Sequence, residues 1–510
     1  MTDDNDNIVS QAASRQSLVQ HFSIKGLFGY RTLTLDSDYA ATILIARNGA
    51  GKTTMLGALD AFLRCQFGRL ADLTFERIEC KLQNTDELLT LEKKDLDQYM
   101  AKAADHPAIA RMAKQYELDP ADVLFFAIWD YPMLRHSRDE LTQHPVYYKV
   151  YQQPAQTFES AEKQFKQIFD SIGDAETPIS FLRKAVATAM ADIEIVYLPT
   201  YRRIELSIPE PEDVRYTRKK SVQDRLGLTR RGLHAGDIQF GLSDISARLR
   251  KLNQEIMIES NQKYAEISAN IVDDLISGSF EKQQPSLEDR PSRGELEIFF
   301  DRLKNVNKDF HFRGFYYPSY GPYGQVKIPD VSRIYSGNIP PNSEKFLTYF
   351  LGKLNSVIQK TRMTEQVVEK FVANCNRYLS ADDPTTELDG VPTVEEKVLK
   401  LDRASLDVSV WRSHPDKEIP LDALSSGEKQ MVSLFARLYL YPKKKLVLVD
   451  EPELSLSLDW QRKILPDILN SDLCQQVIAI THSPFIFDNE LDAFAKALRV
   501  EIVDTDTAGA

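Results

Sequence analysis

Apolar and polar residues alternate along HFSIKGLFGYRTLTLD, which sets Phe22, Ile24, Leu33 and Leu35 on one face of two short strands around a Gly-Leu-Phe-Gly turn. ATILI (41–45), apolar except for Thr42, predicts a buried strand. Behind a glycine-rich loop, Met55, Leu56, Leu59, Phe62 and Leu63 recur at helical spacing, so strand, loop and helix follow in order. FERIECKL (75–82) and ELLTLEKKDL (87–96) predict a hairpin, and from 97 to about 192 the pattern is helical with several breaks. EIVYLP (194–199) is a further strand. The segment 243–277 begins with a Ser and carries Ile245, Leu249, Leu252 and Ile256 at three- and four-residue steps, as one long helix or a broken pair. FHFRGFYYPSYGPYGQVKIP (310–329) predicts an irregular loop lined by Tyr316, Tyr317, Tyr320 and Tyr323, and 345–379 is helical again. KVLKLDRASLDVSVW (397–411) is a strand hairpin, followed by a helix, the strand KLVLVD (445–450), another helix and the strand QVIAITHS (476–483). Strand and helix alternate at both ends with helical matter between, so the two ends together are expected to build one α/β core. The expected segments are an N-terminal lobe (1–96), an inserted helical region (97–193), a return to the core (194–242), a second helical insertion (243–396) and a C-terminal lobe (397–510).

Charge narrows the choice of partners. Among 510 residues, 63 Lys and Arg stand against 75 Asp and Glu, a formal net charge of −12 that repels nucleic acid and anionic membranes unless a local basic patch intervenes. Such a patch exists in sequence: Arg215, Arg218, Lys219, Lys220, Arg225, Arg230 and Arg231 surround a single acid, Asp224. It reads either as a solvated loop or as a nucleic-acid contact. The four cysteines are scattered, with no C-x-x-C pair, which excludes a zinc ribbon and fits a reducing compartment. The acidic, polar N-terminus and the longest apolar run, VLFFAIW (123–129), predict a cytoplasmic protein without a membrane span, which would need about 20 apolar residues.

Four short stretches carry chemistry. ARNGAGKTT (46–54) matches G-x-x-x-x-G-K-[ST] except that Ala46 stands at its first position. Such a loop turns the backbone N–H groups of Asn48, Gly49, Ala50 and Gly51 toward nucleotide phosphates, with Lys52 reaching the β- and γ-phosphates, Thr53 binding Mg²⁺ and Thr54 in the first helical turn. The alternative is an ordinary glycine turn before a helix. KLVLVDEPELS (445–455) is an apolar strand ending in Asp450 and Glu451, one carboxylate placed for a metal shell and the other for an attacking water. LSSGEKQMVSLFARLYL (424–440) starts a helix at Ser425, Ser426 and Gly427, where Glu428 completes a capping box whose free helix N-terminus also suits an anion. VIAITHSP puts His482 at another strand end, within reach of a γ-phosphate if the strands are neighbours.

In this order, ARNGAGKTT, LSSGEKQ, LVLVDEPELSLSLD and ITHSP resemble the ATP-binding-cassette ATPases, in their SMC-like, RecF-like and OLD-like branch. The resemblance implies an α/β P-loop head formed from both chain ends with inserted helical lobes. It implies ATP and Mg²⁺ as cofactors, Thr53 and Asp450 at the metal, Glu451 and His482 as catalytic groups, and Ser425, Ser426 and Gly427 as signature residues. The signature of that family contacts the ATP of a second subunit, so a head-to-head homodimer, or a higher oligomer, follows. Ser457 to Asp459 correspond to the D-loop, without the His-Pro often found at Ser457-Leu458; for the Q-loop, Gln83 and Gln239 are both open.

The helices at 243–277 and 345–379 lack sustained heptads and are too short for chromosome-holding arms. YLPTYRRIE (197–205), the LSSGEKQ spelling and EPELSLSLDWQ are most similar to the PtuA-type ATPases of Septu and of retron-associated anti-phage systems, over 20–95, 194–205 and 397–488. That likeness implies a switch subunit controlling a separately encoded nuclease such as an HNH protein, and contact with nucleic acid or a retron reverse transcriptase complex. OLD nucleases add a TOPRIM domain, for which Asp504 and Asp506 near Ala510 leave no room, so the chain is not expected to be a nuclease on its own. A RecF-like DNA-repair ATPase and an ATP-bound scaffold with little turnover remain as alternatives.

Overall fold

A computed structural model of the chain describes residues 15–47, 49–135, 138–153, 156–173, 177–198, 242–278, 290–309, 330–336, 339–380, 387–388, 391–392, 396–412 and 416–502. The aromatic loop at 310–329, the basic segment at 215–231, Gln239, Asn48, Asp504 and Asp506 lie outside them. The chain divides into two compact units, 1–239 with 443–510, and 240–442.

The first unit opens with β1 (Val19–Leu27), β2 (Arg31–Asp36), β3 (Ala41–Ile45) and helix α1 (Lys52–Leu63), then β4 (Arg77–Leu82) and β5 (Leu89–Glu92). Helices fill most of 93–189, from Lys93–Ala104 to Pro178–Ala189, before β6 (Ile193–Leu198). The second unit holds α2 (Leu242–Ser277), α3 (Arg293–Asp309), α4 (Pro341–Leu379), the two-residue strands β7 (Glu387–Leu388) and β8 (Val391–Pro392), then β9 (Lys397–Leu401), β10 (Val408–Arg412), β11 (Lys417–Ile419) and α5 (Ser426–Leu440). The chain returns to the first unit with β12 (Lys444–Asp450), α6 (Leu458–Leu469), β13 (Cys474–Thr481), β14 (Ala495–Ala497) and β15 (Arg499–Ile502).

A five-stranded sheet in the order β14-β3-β13-β12-β6 unites strands from both chain ends, and every pairing in it is parallel. Parallel strands are covered on both faces and therefore read as continuous apolar runs, as in Leu446–Val449 and Val477–Ile480, all of them buried. A second sheet, β15-β2-β1-β4-β5, is antiparallel. Helix α1 is buried on nearly every side, because β12 packs on one flank while Phe62 meets Phe22 of β1 edge-on, ring centroids 5.9 Å apart, on the other. Its C-terminal end is held by charge: Asp60 accepts from Arg64 at 2.5 Å and Arg69 at 2.7 Å, and Arg64 also donates to the carbonyl of Ile195 in β6 at 2.7 Å. Gln476, fully buried in β13, bonds Val19 through both its amide oxygen (2.8 Å) and its amide nitrogen (3.2 Å), joining the two sheets.

In the second unit α2 and α4, with 36 and 39 residues, pack against one another. Arg302 of α3 pairs with Glu365 of α4 and donates to the carbonyl of Arg403 at 2.6 Å, while Arg403 reaches Glu369 at 3.0 Å; these contacts tie the β9–β10 turn to both helices. Burial works against the Glu365 charge, but Arg302, Arg403 and Arg362 together hold its carboxyl below the usual carboxylate range. α5 packs on α4, with Phe435 and Tyr378 rings 5.2 Å apart.

Several boundaries differ from the sequence expectation. Residues 397–442, expected in the C-terminal lobe, cluster with 240–396 because α5 and the small sheet β11-β10-β9 pack on α4. The helices of 93–189 belong to the same unit as the sheets, sharing a core with β6 and α1, rather than forming a unit of their own. The expected hairpin is real between β4 and β5, but Lys93-Lys94-Asp95-Leu96 opens a helix instead of continuing the strand. Residues 243–277 form one continuous helix, not a broken pair.

Candidate functional site

The loop after β3 is shaped by its glycines. Gly49 and Gly51 have φ of 81° and 93°, in the left-handed region that side chains disfavour. At Gly51 a Cβ would also fall 2.9 Å from Cδ1 of the buried Leu33, so a side chain there would have to displace Leu33 as well as adopt a disfavoured conformation. Ala46 N–H donates to the carbonyl of Thr481 at 3.3 Å, and Arg31, beside the Phe28 and Tyr30 rings, donates to the carbonyl of Gly49 at 3.2 Å. These bonds moor the loop to the end of β13 and to β2. Lys52 then begins α1, with Thr53 and Thr54 half-buried in its first turn.

Opposite stands the end of β12. Asp450 is buried within the strand, and at Glu451 the backbone swings to φ 51°, also left-handed. This reversal is pinned by Glu451 N–H donating to the Ile480 carbonyl at 2.9 Å. Glu451 Oε1 lies 2.6 Å from Lys52 Nζ, a pair of which little is exposed. His482, at the end of the neighbouring strand β13, brings Nδ1 within 3.9 Å of the same Glu451 oxygen. Sequence positions 52, 451 and 482 thus meet at the C-terminal ends of parallel strands, where α/β sheets bind their ligands.

The remaining candidates lie elsewhere. Ser425 and Gly427 are in the second unit, where Ser425 caps α5: Glu428 N–H donates to its hydroxyl at 3.3 Å, and its own N–H donates to the Glu428 carboxylate at 2.6 Å. The capping box is therefore present. Ser426 is the first residue of α5. Asp459 is exposed in the first turn of α6. Gln83 donates to Gln16 at 3.1 Å, and among the described residues no hydrogen bond joins its side chain to the loop. Asn48 and the basic residues Arg215, Arg218, Lys219, Lys220, Arg230 and Arg231 lie outside the described residues.

Two residues that sequence reasoning passed over belong to the site. Arg31 is one; nothing local in GLFGYR indicates that it reaches Gly49. Glu453 is the other: buried, it accepts from the His482 backbone N–H and the Thr481 hydroxyl, and the E-P-E spelling after the acidic strand end was its only signal. The cysteines add no chemistry, since burial pushes the Cys65 thiol up to about 11 and that of Cys474 to about 12. Among the described residues no group of three His, Cys, Asp or Glu could hold a metal by itself, and no helix is long and apolar enough to cross a membrane.

Residues 376–488 match the family model described as "AAA domain, putative AbiEii toxin, Type IV TA system". The matched stretch contains the acidic strand end and His482 and stops short of the phosphate loop. A solved structure titled "Crystal structure of the SmcHead bound to the C-winged helix domain of ScpA" is similar at 16% identity with a TM-score of 0.19, covering 31% of this chain and 48% of that one. The chain thus spans about half the length of that relative. No curated protein matches the chain. The strand–loop–helix and the parallel sheet make an α/β domain with a P-loop-like turn, and the AAA-domain match over 376–488 agrees with that class.

Proposed function

We propose that the chain is an ATP-hydrolysing switch subunit of a bacterial anti-phage defence complex whose nucleotide state controls a separately encoded nuclease. The observation that carries the ATPase reading is the convergence of Lys52, Glu451 and His482 beside a glycine-shaped loop at the start of α1. Lys52 would neutralise the β- and γ-phosphates, with the α1 N-terminus adding its dipole. Glu451 would orient the attacking water and His482 would meet the γ-phosphate side. The Thr53 hydroxyl and the Asp450 carboxylate are hard oxygen donors of the kind Mg²⁺ takes together with phosphate oxygens, so the residues present fit that ion. When bound, it would neutralise charge on the transferring phosphoryl group. The defence role rests on the resemblance of the motifs to Septu and retron-associated ATPases.

Ser426 and Gly427 would engage the nucleotide of a second copy in a head-to-head dimer. Ser426→Arg is therefore expected to leave ATP binding unchanged and to abolish turnover. Mixed with Lys52→Ala chains, it should regain at most one working site per dimer. A fully active monomer in sedimentation and phosphate-release assays would remove the dimer model.

The full chain with ATP and Mg²⁺ or Mn²⁺ is expected to release phosphate without cutting DNA or tRNA. Cleavage should appear only with the partner nuclease, depend on that partner's catalytic residues, and change in timing when Lys52 or Glu451 is altered. Metal-dependent cleavage by the isolated chain that survives repurification would overturn this assignment. A second reading, a toxin-type component of a toxin–antitoxin pair, is favoured by the family match over 376–488. Growth arrest on expressing this chain alone would select it.

A further inference from the structure

The site contains a carboxylate that the proposed reaction does not use. Glu453 sits in the short 3-10 turn Pro452–Ser455, directly after Glu451, and its side chain is 6% exposed. Both its oxygens are engaged. Oε1 accepts from the backbone N–H of His482 at 3.0 Å and stands 2.8 Å from its ring nitrogen Nδ1, an ion-pair contact; Oε2 accepts from the Thr481 hydroxyl at 2.8 Å. The turn that carries it is itself fixed. Gln461 of α6 donates to the carbonyls of Glu453 (3.3 Å) and Leu456 (3.0 Å), and its amide oxygen accepts from the Ser483 hydroxyl at 2.8 Å. Ser483 N–H in turn donates to the Thr481 hydroxyl at 3.0 Å. The loops that follow β12 and β13 are thereby locked into one assembly.

A carboxylate oxygen and a bare imidazole nitrogen 2.8 Å apart would set lone pair against lone pair, so this contact favours the hydrogen on Nδ1. The same ring nitrogen is 3.9 Å from Glu451 Oε1, which is held by Lys52 at 2.6 Å. Two carboxylates therefore stand near one N–H, and the nearer takes it. Without Glu453, that N–H would have Glu451 as its nearest remaining carboxylate and would draw it away from a water-orienting role.

We infer that Glu453 is the positioning residue of this site: it holds His482 with the proton on Nδ1, presents Nε2 as the ring nitrogen for the reacting phosphate or water, and keeps the imidazole off Glu451. The effect on turnover rests on the proposed ATP hydrolysis; the protonated nitrogen of His482 does not.

The test uses the full chain carrying ¹⁵N-labelled histidine, with the His482 resonances assigned by their loss in His482→Gln. At about pH 8.5, some two units above the ordinary imidazole value, the neutral tautomers are distinguishable. The wild type is expected to show Nδ1–H. Glu453→Gln should shift the population toward Nε2–H, the form free imidazole side chains favour in water, whereas Thr481→Val, which removes a neighbouring bond of the same carboxylate, should keep Nδ1–H. An Nε2–H tautomer in the wild type, or an unchanged tautomer in Glu453→Gln, overturns the inference.

In turnover, Glu453→Gln is expected to lower kcat about 10- to 100-fold, at or below the low end of the ~10²–10⁴ range of a directly acting acid or base, with ATP affinity changed less than about two-fold. Because Glu453 acts through His482, the double variant Glu453→Gln/His482→Gln should be no slower than His482→Gln alone, and an additive loss overturns the inference. A wild type that binds but does not hydrolyse ATP would sink the ATPase reading, and the tautomer measurement would still decide the role of Glu453.

Discussion

Glu451→Gln is expected to retain ATP and to lose nearly all turnover, by about 10²–10⁴-fold. The substitution keeps the size of the side chain and touches no residue of the loop at 46–54. It removes the carboxylate charge that would orient water and breaks the ion pair with Lys52, now 2.6 Å long. Nucleotide affinity should therefore hold or rise while kcat falls, the pattern of an interaction made in the transition state. Single-turnover phosphate release together with equilibrium binding separates the two quantities. Equal hydrolysis in wild type and variant would favour the scaffold reading instead, in which the chain acts by assembly alone.

Lys52→Ala is expected to do the reverse. It deletes the cation that would meet the phosphates, and it leaves Glu451, only 16% exposed, facing the loop without the Lys52 ammonium. An anionic ligand would then approach a carboxylate no longer screened by Lys52, so binding should weaken by at least about 100-fold, corresponding to a charge-assisted contact of roughly 3 kcal/mol. Titration with a fluorescent ATP analogue reads this directly. Wild-type affinity in the variant would remove the phosphate-loop assignment, whatever the ATPase rate.

The parts of this architecture legible in the sequence are those whose signal is local. ATILI, KLVLVD and QVIAI are largely apolar, with no polar alternation, because parallel strands are covered on both faces, and glycines at 49 and 51 are demanded by the backbone of one short loop. Lys93–Leu96 was harder, since its alternation continues the preceding strand even though the chain already turns into a helix. The grouping of 397–442 with the helices before it depends on contacts such as Tyr378 with Phe435, for which chain order offers no guide. Glu453 illustrates the limit most clearly. Its partners Thr481 and His482 come from the next strand, 28 and 29 residues away, so its role exists only once β12 and β13 are side by side.

The sheet order β14-β3-β13-β12-β6 has a consequence for how the chain must be made. β3 and β6 are synthesised early, yet every strand that pairs with either of them begins at Lys444 or later. At about 5–20 residues per second, the ribosome leaves β6 without its partner β12 for tens of seconds. During that interval two apolar strands expose their edges, which is the condition that invites aggregation or a chaperone. Such non-local closure belongs to the slow end of folding rates, and it makes the stretch before β12 a span in which translational pausing would prolong the risk. A fragment ending before Lys444 would carry the phosphate loop on a sheet that cannot close.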